Sequence, residues 1–240
     1  MTRLVRVVSL VPSATETLLA LGAGVVACTK YCDLPSLPHV GGTKNPDIGA
    51  IVGLTPDLVV VDEEENRRED AGALRAAGLE LVVTAVRDVR GGRNVVGRLA
   101  RHCAVTPPRP PPSAPVDDAL RAVHLSAFVP IWRRPWMSIN ADTYGASVLA
   151  HAGVGLVTAG DEGRYPAVEL AALAGTEPDL VLVPSEPYAF GDAHVAELAA
   201  HFPRARVVRI DGKDLFWWGV RTDGAVERLR AVVTRAASTR

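Results

Sequence analysis

The sequence predicts an α/β protein of two lobes, each a parallel sheet covered by helices. Three observations predict it. Short apolar runs alternate with helix-forming stretches from the amino terminus onward, the pattern of parallel strands joined by crossover helices. A segment also recurs, because Thr55-Pro-Asp-Leu-Val-Val-Val61 returns as Glu177-Pro-Asp-Leu-Val-Leu-Val183, 122 residues later. Leu19-Ala20 before Gly22 returns as Leu149-Ala150 before Gly153, and Leu74-Arg-Ala-Ala77 returns as Leu198-Ala-Ala-His201. Three matches in the same order imply two related halves. The third observation is Thr106-Pro-Pro-Arg-Pro-Pro-Pro-Ser-Ala-Pro115, whose prolines exclude helix and mark a connector. The lobes therefore span residues 1–87 and 122–240, with a connector over 88–121 made of a shortened helix (88–105) and the proline-rich segment 106–115.

Taken in order, Val5 to Leu10 reads as a buried strand, and Ser13-Ala-Thr-Glu16 as a capping box opening a helix that stops at Gly22. Val25 to Thr29 is the second strand, followed by a long loop from Lys30 to Asn45 and a short helix starting at Pro46. Asp57 to Asp62 is the plainest strand in the chain, with Pro56 at its entry. A helix from Arg67 to Ala77 stops at Gly78, and Leu79 to Thr84 is the fourth strand. Gly91, Gly92 and Gly97 weaken the helix expected over 88–105. Beyond the prolines the pattern resumes with a strand from Ala122 to Ile131, a helix from Asp142 to His151, a strand from Val154 to Thr158 and a short helix from Glu169 to Ala174. Strands near 179–184 and 207–210 complete the second lobe.

Composition narrows the function. A charged fraction of 22%, a hydrophobic fraction of 48% and a net charge of -1 describe an ordinary globular chain with no reason to seek nucleic acid. No apolar run approaches the roughly 20 residues of a membrane span. Cys28, Cys32 and Cys103 form no disulfide-dense pattern, so reduced thiols are expected, with Cys28 packed inside its strand. As written the amino terminus carries no export signal and reads as cytoplasmic. A trimmed leader would make the same chain periplasmic or otherwise extracytoplasmic.

The aromatic residues are few and oddly placed. Tyr31, Trp132, Trp136, Tyr188, Phe190, Phe216, Trp217 and Trp218 all fall in loops that follow expected strands. Core aromatics belong inside strands and helices, so these imply a surface for a large, flat or amphipathic ligand, placed after the carboxyl ends of the strands. Lys44, Arg133, Arg134 and Arg221 offer donors for carboxylate or amide groups. Two lobes joined by a connector further imply a ligand cleft between them. Catalytic signals are weak. No nucleophile elbow, phosphate loop or dinucleotide fingerprint is present, and Cys28-Thr-Lys-Tyr-Cys32 lacks the second pair or histidine that would complete a zinc set. His194 and His201 read as surface histidines, and Asp62 to Glu65, Asp161 and Glu162 as solvated loop acids.

Several segments carry a resemblance: Arg6-Val-Val-Ser-Leu-Val-Pro-Ser-Ala-Thr-Glu16, Thr29-Lys-Tyr-Cys-Asp-Leu-Pro35, Val40-Gly-Gly-Thr-Lys-Asn-Pro46, Pro56-Asp-Leu-Val-Val-Val61, the stretch Trp132 to Asn140, and Pro184-Ser-Glu-Pro-Tyr188. Together they resemble the cobalamin-binding members of the class III, helical-backbone substrate-binding proteins of iron-complex and cobalamin ABC transporters. The resemblance implies two Rossmann-like lobes and a non-catalytic protein holding a corrinoid, haem or ferric siderophore as ligand, with no intrinsic cofactor. It also implies a monomer, with an ABC permease as partner in the transport role. On that resemblance Tyr31 and Asp33 belong to the first-lobe ligand loop, and Trp132, Trp136, Tyr188 and Trp217 are the second-lobe candidates; Cys32, Phe190 and Trp218 beside them complete the expected ligand-binding set. Glu69 stands where an acidic docking residue of the first lobe belongs. The chain departs from the family at its prolines, which interrupt what is elsewhere one long connecting helix. The alternative that two α/β lobes allow is a transferase acting on a nucleotide-linked substrate, which would need phosphate-binding glycines or a base.

Overall fold

The computed structural model describes residues 4–107 and 125–238. The chain divides into two compact units. The first comprises Met1–Val86, Arg90–Pro110 and Trp218–Val220; the second comprises Arg87–Val89, Pro111–Trp217 and Arg221–Arg240. Of the proline-rich segment, Thr106 and Pro107 are irregular, and the expectation that residues 108–115 hold no helix lies outside the described residues.

The first unit runs β1 (Arg6–Ser9), α1 (Pro12–Ala20), β2 (Gly24–Cys28), β3 (Gly41–Gly42), β4 (Asn45–Pro46), α2 (Ile48–Gly53), β5 (Leu58–Asp62), α3 (Arg68–Ala76), β6 (Leu81–Thr84), and then most of α4 (Val89–His102). Its main sheet is parallel throughout, in the order β2-β1-β5-β6. Every residue of β5 is buried, as a central strand with helices on both faces requires. Val8, Ala27, Ile51 and Leu74 from four different elements close the core beside it.

The second unit contains β7 (Leu125–Phe128), α5 (Tyr144–His151), β8 (Val154–Leu156), α6 (Leu170–Ala174), β9 (Leu180–Pro184), α7 (Asp192–His201), β10 (Arg206–Ile210), α8 (Gly212–Phe216) and α9 (Thr222–Ser238). Its sheet is again all parallel, in the order β8-β7-β9-β10. In each main sheet the first strand of that sheet stands between its second and its third, so the two topologies are the same.

The internal repeat is carried into atomic detail. Thr55 and Glu177, equivalent in the repeated segment, both take left-handed backbone, with φ of 46° and 45°. Each turns the chain into a Pro-Asp step. Asp57 then accepts a hydrogen bond from the backbone N–H of Arg6 at 2.8 Å, and Asp179 one from that of Ser126 at 2.9 Å. In both units, therefore, an aspartate at the foot of the central strand satisfies a strand N–H of its neighbour. Gly22 and Gly153, with φ of 70° and 89°, end the equivalent helices α1 and α5.

Local details differ from the sequence reading. Helix α1 begins at Pro12, with Val11 as its cap and no side-chain bond, so the Ser13 to Glu16 capping box is not used. A proline fits the first helical position, where no N–H is needed, and this moves the start forward. Pro46 lies in β4, and Asp47 caps α2 by accepting from the N–H of Ala50 at 2.9 Å. Helix α4 runs continuously through its three glycines, because burial of Val89, Val95 and Leu99 outweighs their helix cost. Strand β7 ends at Phe128 and β8 at Leu156, since the chain folds back at Val129 and Val157 into loops. Residues 122–124 of the expected strand are outside the described residues.

Candidate functional site

Open parallel sheets bind ligands outside the carboxyl ends of their strands, at the point where strand order reverses. In the second unit that point lies between β7 and β9. The loop after β7 folds into a hairpin, in which the N–H of Ile131 bonds the carbonyl of Met137 at 2.9 Å and the N–H of Met137 that of Trp132 at 3.2 Å. This hairpin sends its two tryptophans to different places. Trp132 is 45% exposed, and its ring meets Tyr188, from the loop after β9, in a T-shaped contact at 5.2 Å. Trp136 is buried, stacked on Phe190 at 5.8 Å with 8° between the planes, and both belong to the hydrophobic core of the unit. Tyr188 bridges the two environments, with its ring centroid 4.7 Å from that of Phe190. Placement in a loop thus did not keep Trp136 and Phe190 out of the core, because both loops fold back over the sheet.

His194, on the first turn of α7, is packed edge-on against Tyr188 and Phe190 and is half-buried rather than free on the surface. Its Nδ1 accepts from the N–H of Gly191 at 3.0 Å, which fixes the helix start and leaves the proton of the neutral ring on Nε2. Arg133 lies over the Trp136 ring at 4.7 Å and pairs with Glu197 at 2.8 Å. Arg134 is exposed, with φ of 73°.

The loop after β10 supplies a second cluster. Trp217 donates its indole N–H to Glu186 at 2.6 Å, while Lys213 and Arg221 lie over its ring at 4.7 and 5.8 Å. Burial pushes the Glu186 carboxyl up, against the lowering effect of the Trp217 hydrogen bond and the Lys213 charge. A side chain on Gly212 would lie within 2.7 Å of Glu186 backbone atoms, so glycine there permits the close approach of the two loops. Arg221 and Arg228 converge on buried Asp214, at 2.7 and 2.6 Å, and the Tyr144 hydroxyl donates to Thr222 at 3.0 Å. These contacts hold the chain on either side of Trp217. Trp218 is buried, assigned to the first unit with Gly219 and Val220.

In the first unit, Tyr31 is 53% exposed, its ring beside Gly42 and under the Lys30 ammonium at 5.3 Å. Asp33 is exposed, with φ of 49°. Cys32 is buried, its thiol 3.4 Å from the Thr29 hydroxyl and 3.5 Å from that of Thr15. Burial, reinforced by Cys32, pushes the Cys28 thiol up to about 12, so it stays protonated and inert near neutral pH. Lys44 donates to the carbonyl of Glu64. Of the four expected cationic donors, three, Lys44, Arg133 and Arg221, are engaged within the protein. Glu69 is an exposed residue of the first turn of α3, 3.6 Å from Arg67.

Sequence reasoning missed two groups here. Asp62 is buried, not solvated: its carboxylate accepts from the N–H of Glu64 at 2.9 Å and from the Thr84 hydroxyl at 2.7 Å, and burial still holds it above the usual aspartate value. A lone acid closing an otherwise apolar strand was the available signal. Glu186 was missed because its partner Trp217 is distant in sequence. Among the described residues no group of three or more His, Cys, Asp or Glu could hold a metal ion, and no helix is long and apolar enough to cross a membrane.

No family model matches the chain, and no curated protein matches it in sequence. Solved structures do match. The periplasmic vitamin B12 binding protein BtuF of Vibrio cholerae superposes with a TM-score of 0.76 at 21% identity, over 98% of each chain. A periplasmic haem-binding protein from Pseudomonas aeruginosa gives a TM-score of 0.77 at 21% identity, over 96% of this chain and 92% of that one. The periplasmic haem-binding protein RhuT from Roseiflexus sp. RS-1 gives 0.71 at 24%, over 97% and 98%. The chain therefore has the fold of these periplasmic vitamin B12- and haem-binding proteins, the two-lobed α/β fold of the substrate-binding family that its segments resemble.

Proposed function

We propose that the protein is a non-catalytic binding protein for a bulky metal complex of the corrinoid, haem or ferric siderophore class. The observation that carries this reading is the contact of exposed Trp132 with half-buried Tyr188 at the strand-order reversal of a chain with the fold of B12- and haem-binding proteins. Two rings meeting edge to face offer a large apolar surface with little rotamer freedom left to lose on binding. In the first unit, the exposed loop residues Tyr31 and Asp33 are proposed as ligand contacts. Trp217, held by Glu186, is proposed as a further contact in the second unit. Trp136, Phe190, Trp218 and Cys32 support these residues from within their units.

In the transport role, the protein would work outside the cytoplasmic membrane and deliver its ligand to an ABC permease. Fractionation of the native host tests that placement, and recovery in the cytosol alone would assign the protein to an intracellular binding role. The binding reading itself is tested by calorimetric titration with cyanocobalamin, haemin and a ferric siderophore, alongside a nucleotide sugar. Micromolar or tighter binding of one metal complex is expected. Binding of the nucleotide sugar alone would overturn the reading in favour of a transferase.

A further inference from the structure

We infer that Asn66 is the positioning residue for Tyr31, the proposed ligand contact of the first unit, acting through the small hairpin of β3 and β4. The inference rests on the proposed binding role. Asn66 is buried, and its amide joins three segments at the carboxyl edge of the first sheet. Its Nδ2 donates to the carbonyl of Leu10, just past β1, at 3.2 Å and to the carbonyl of Thr43, at the hairpin tip, at 2.9 Å. Its Oδ1 accepts from the N–H of Asp62, the last residue of β5, at 2.8 Å. Both amide hydrogens and the oxygen are thus in use, in a place where a lost partner leaves a buried polar group unsatisfied.

The hairpin needs this support. Its ladder has only two residue pairs, Gly41 with Pro46 and Gly42 with Asn45, and so short an antiparallel pair has no stability of its own. Tyr31 depends on it in turn. The N–H of Lys30 bonds the carbonyl of Gly41 at 2.9 Å, and the Tyr31 ring fills the space beside Gly42, where a Cβ would lie 3.2 Å from its Cε2. Asn66 itself is held by the Asp62 turn, whose carboxylate fixes the N–H groups of Glu64 and Glu65. A chain of named contacts therefore runs from the end of β5 through Asn66 and Thr43 to the seat of an exposed tyrosine. Asn66 touches no ligand in this scheme.

The test is a double-mutant cycle between Asn66→Ala and Tyr31→Ala, titrated with haemin and with cyanocobalamin. In the wild-type background Asn66→Ala should weaken binding of the recognised probe about tenfold, as the loss of a buried hydrogen-bonding amide implies. In the Tyr31→Ala background the same change should cost less than about twofold, because coupled residues are non-additive. A purely structural role would give the same loss in both backgrounds and would overturn the inference, as would a Tyr31→Ala variant that binds normally. Asn66→Ser, which keeps a small polar side chain but cannot span Leu10 and Thr43, repeats the cycle should Asn66→Ala fail to fold, with the same two outcomes deciding. A wild-type protein that binds neither probe nor a ferric siderophore overturns the proposed function itself, and is thereby distinct from failure of the cycle.

Discussion

Trp132→Ala separates a binding aromatic from a packing one. A tryptophan side chain presents about 200 Å² for contact. With 45% of Trp132 exposed, roughly 90 Å² is open to a ligand, worth ~2 kcal/mol at ~25 cal/mol per Å². The dissociation constant should therefore rise about thirtyfold. The fold loses the edge-to-face contact with Tyr188 and the buried part of the ring, roughly 110 Å² or about 3 kcal/mol at the same coefficient, which lowers the melting temperature by about 6–12 °C for a chain of this size. Titration with the bound metal complex, paired with thermal melts of both proteins, measures the two effects separately. An unchanged dissociation constant would refute the reasoning, because it would leave the most exposed tryptophan ring at the strand-order reversal with no part in binding.

The same truncation at Trp136 should do the reverse: stability falls by about 3–5 kcal/mol in urea denaturation, since a core ring stacked on Phe190 is deleted. Cys32→Ser should leave the absorbance bands of a bound corrinoid or haem unchanged, because the thiol is buried between Thr15 and Thr29, whereas Tyr31→Phe shifts them if the exposed hydroxyl reaches the metal. Gly219→Ala should cost about 2 kcal/mol or more by chemical denaturation, since φ is 102° and the new Cβ would fall on the Thr17 hydroxyl; a Thr17→Ala background should recover only the steric part. Burial alone would raise the Asp214 carboxyl, but hydrogen bonds from Arg228 and Arg221 outweigh it and hold the group below the ordinary aspartate value. A folded value below the unfolded one means that the native state binds fewer protons, so this stabilisation is complete above about pH 4 and is lost as pH falls through the lowered value. Asp214→Asn should therefore destabilise by about 2 kcal/mol at neutral pH, less than a fully buried pair because Arg228 is half-exposed, with the difference from wild type closing as pH falls through the lowered value in acid titrations of the melting temperature.

The two central strands were legible because β5 and β9 announce themselves three ways: a Pro-Asp entry, β-branched residues and an unbroken apolar run. Their equivalence was legible because the repeated residues do physical work, from the left-handed turns at Thr55 and Glu177 to the carboxylates of Asp57 and Asp179. The loops were legible only as places where aromatics gather. Whether a loop tryptophan faces solvent or the sheet depends on where the chain folds back, and the hairpin from Ile131 to Met137 sends Trp132 and Trp136 in different directions within five residues. Local spacing carries no sign of that difference. Asn66 and Glu186 were invisible for another reason, since each takes its role from partners 23 to 56 residues away, or 31 away, across the sheet edge.

The four tryptophans occupy settings that make the protein its own optical probe. Trp132 faces solvent, Trp136 is buried against Phe190 with Arg133 over its ring, Trp218 is buried, and Trp217 has a carboxylate on its indole nitrogen with two cations over its ring. Indole emission responds to the field along its long axis and to water contact, so the four should contribute distinct components to one spectrum. A corrinoid or haem is a strong energy acceptor in that range. Its arrival at Trp132 would quench the red-shifted, solvent-facing component first, and single tryptophan-to-phenylalanine replacements would assign each component. Ligand arrival could then be timed in stopped flow with no label attached to either partner.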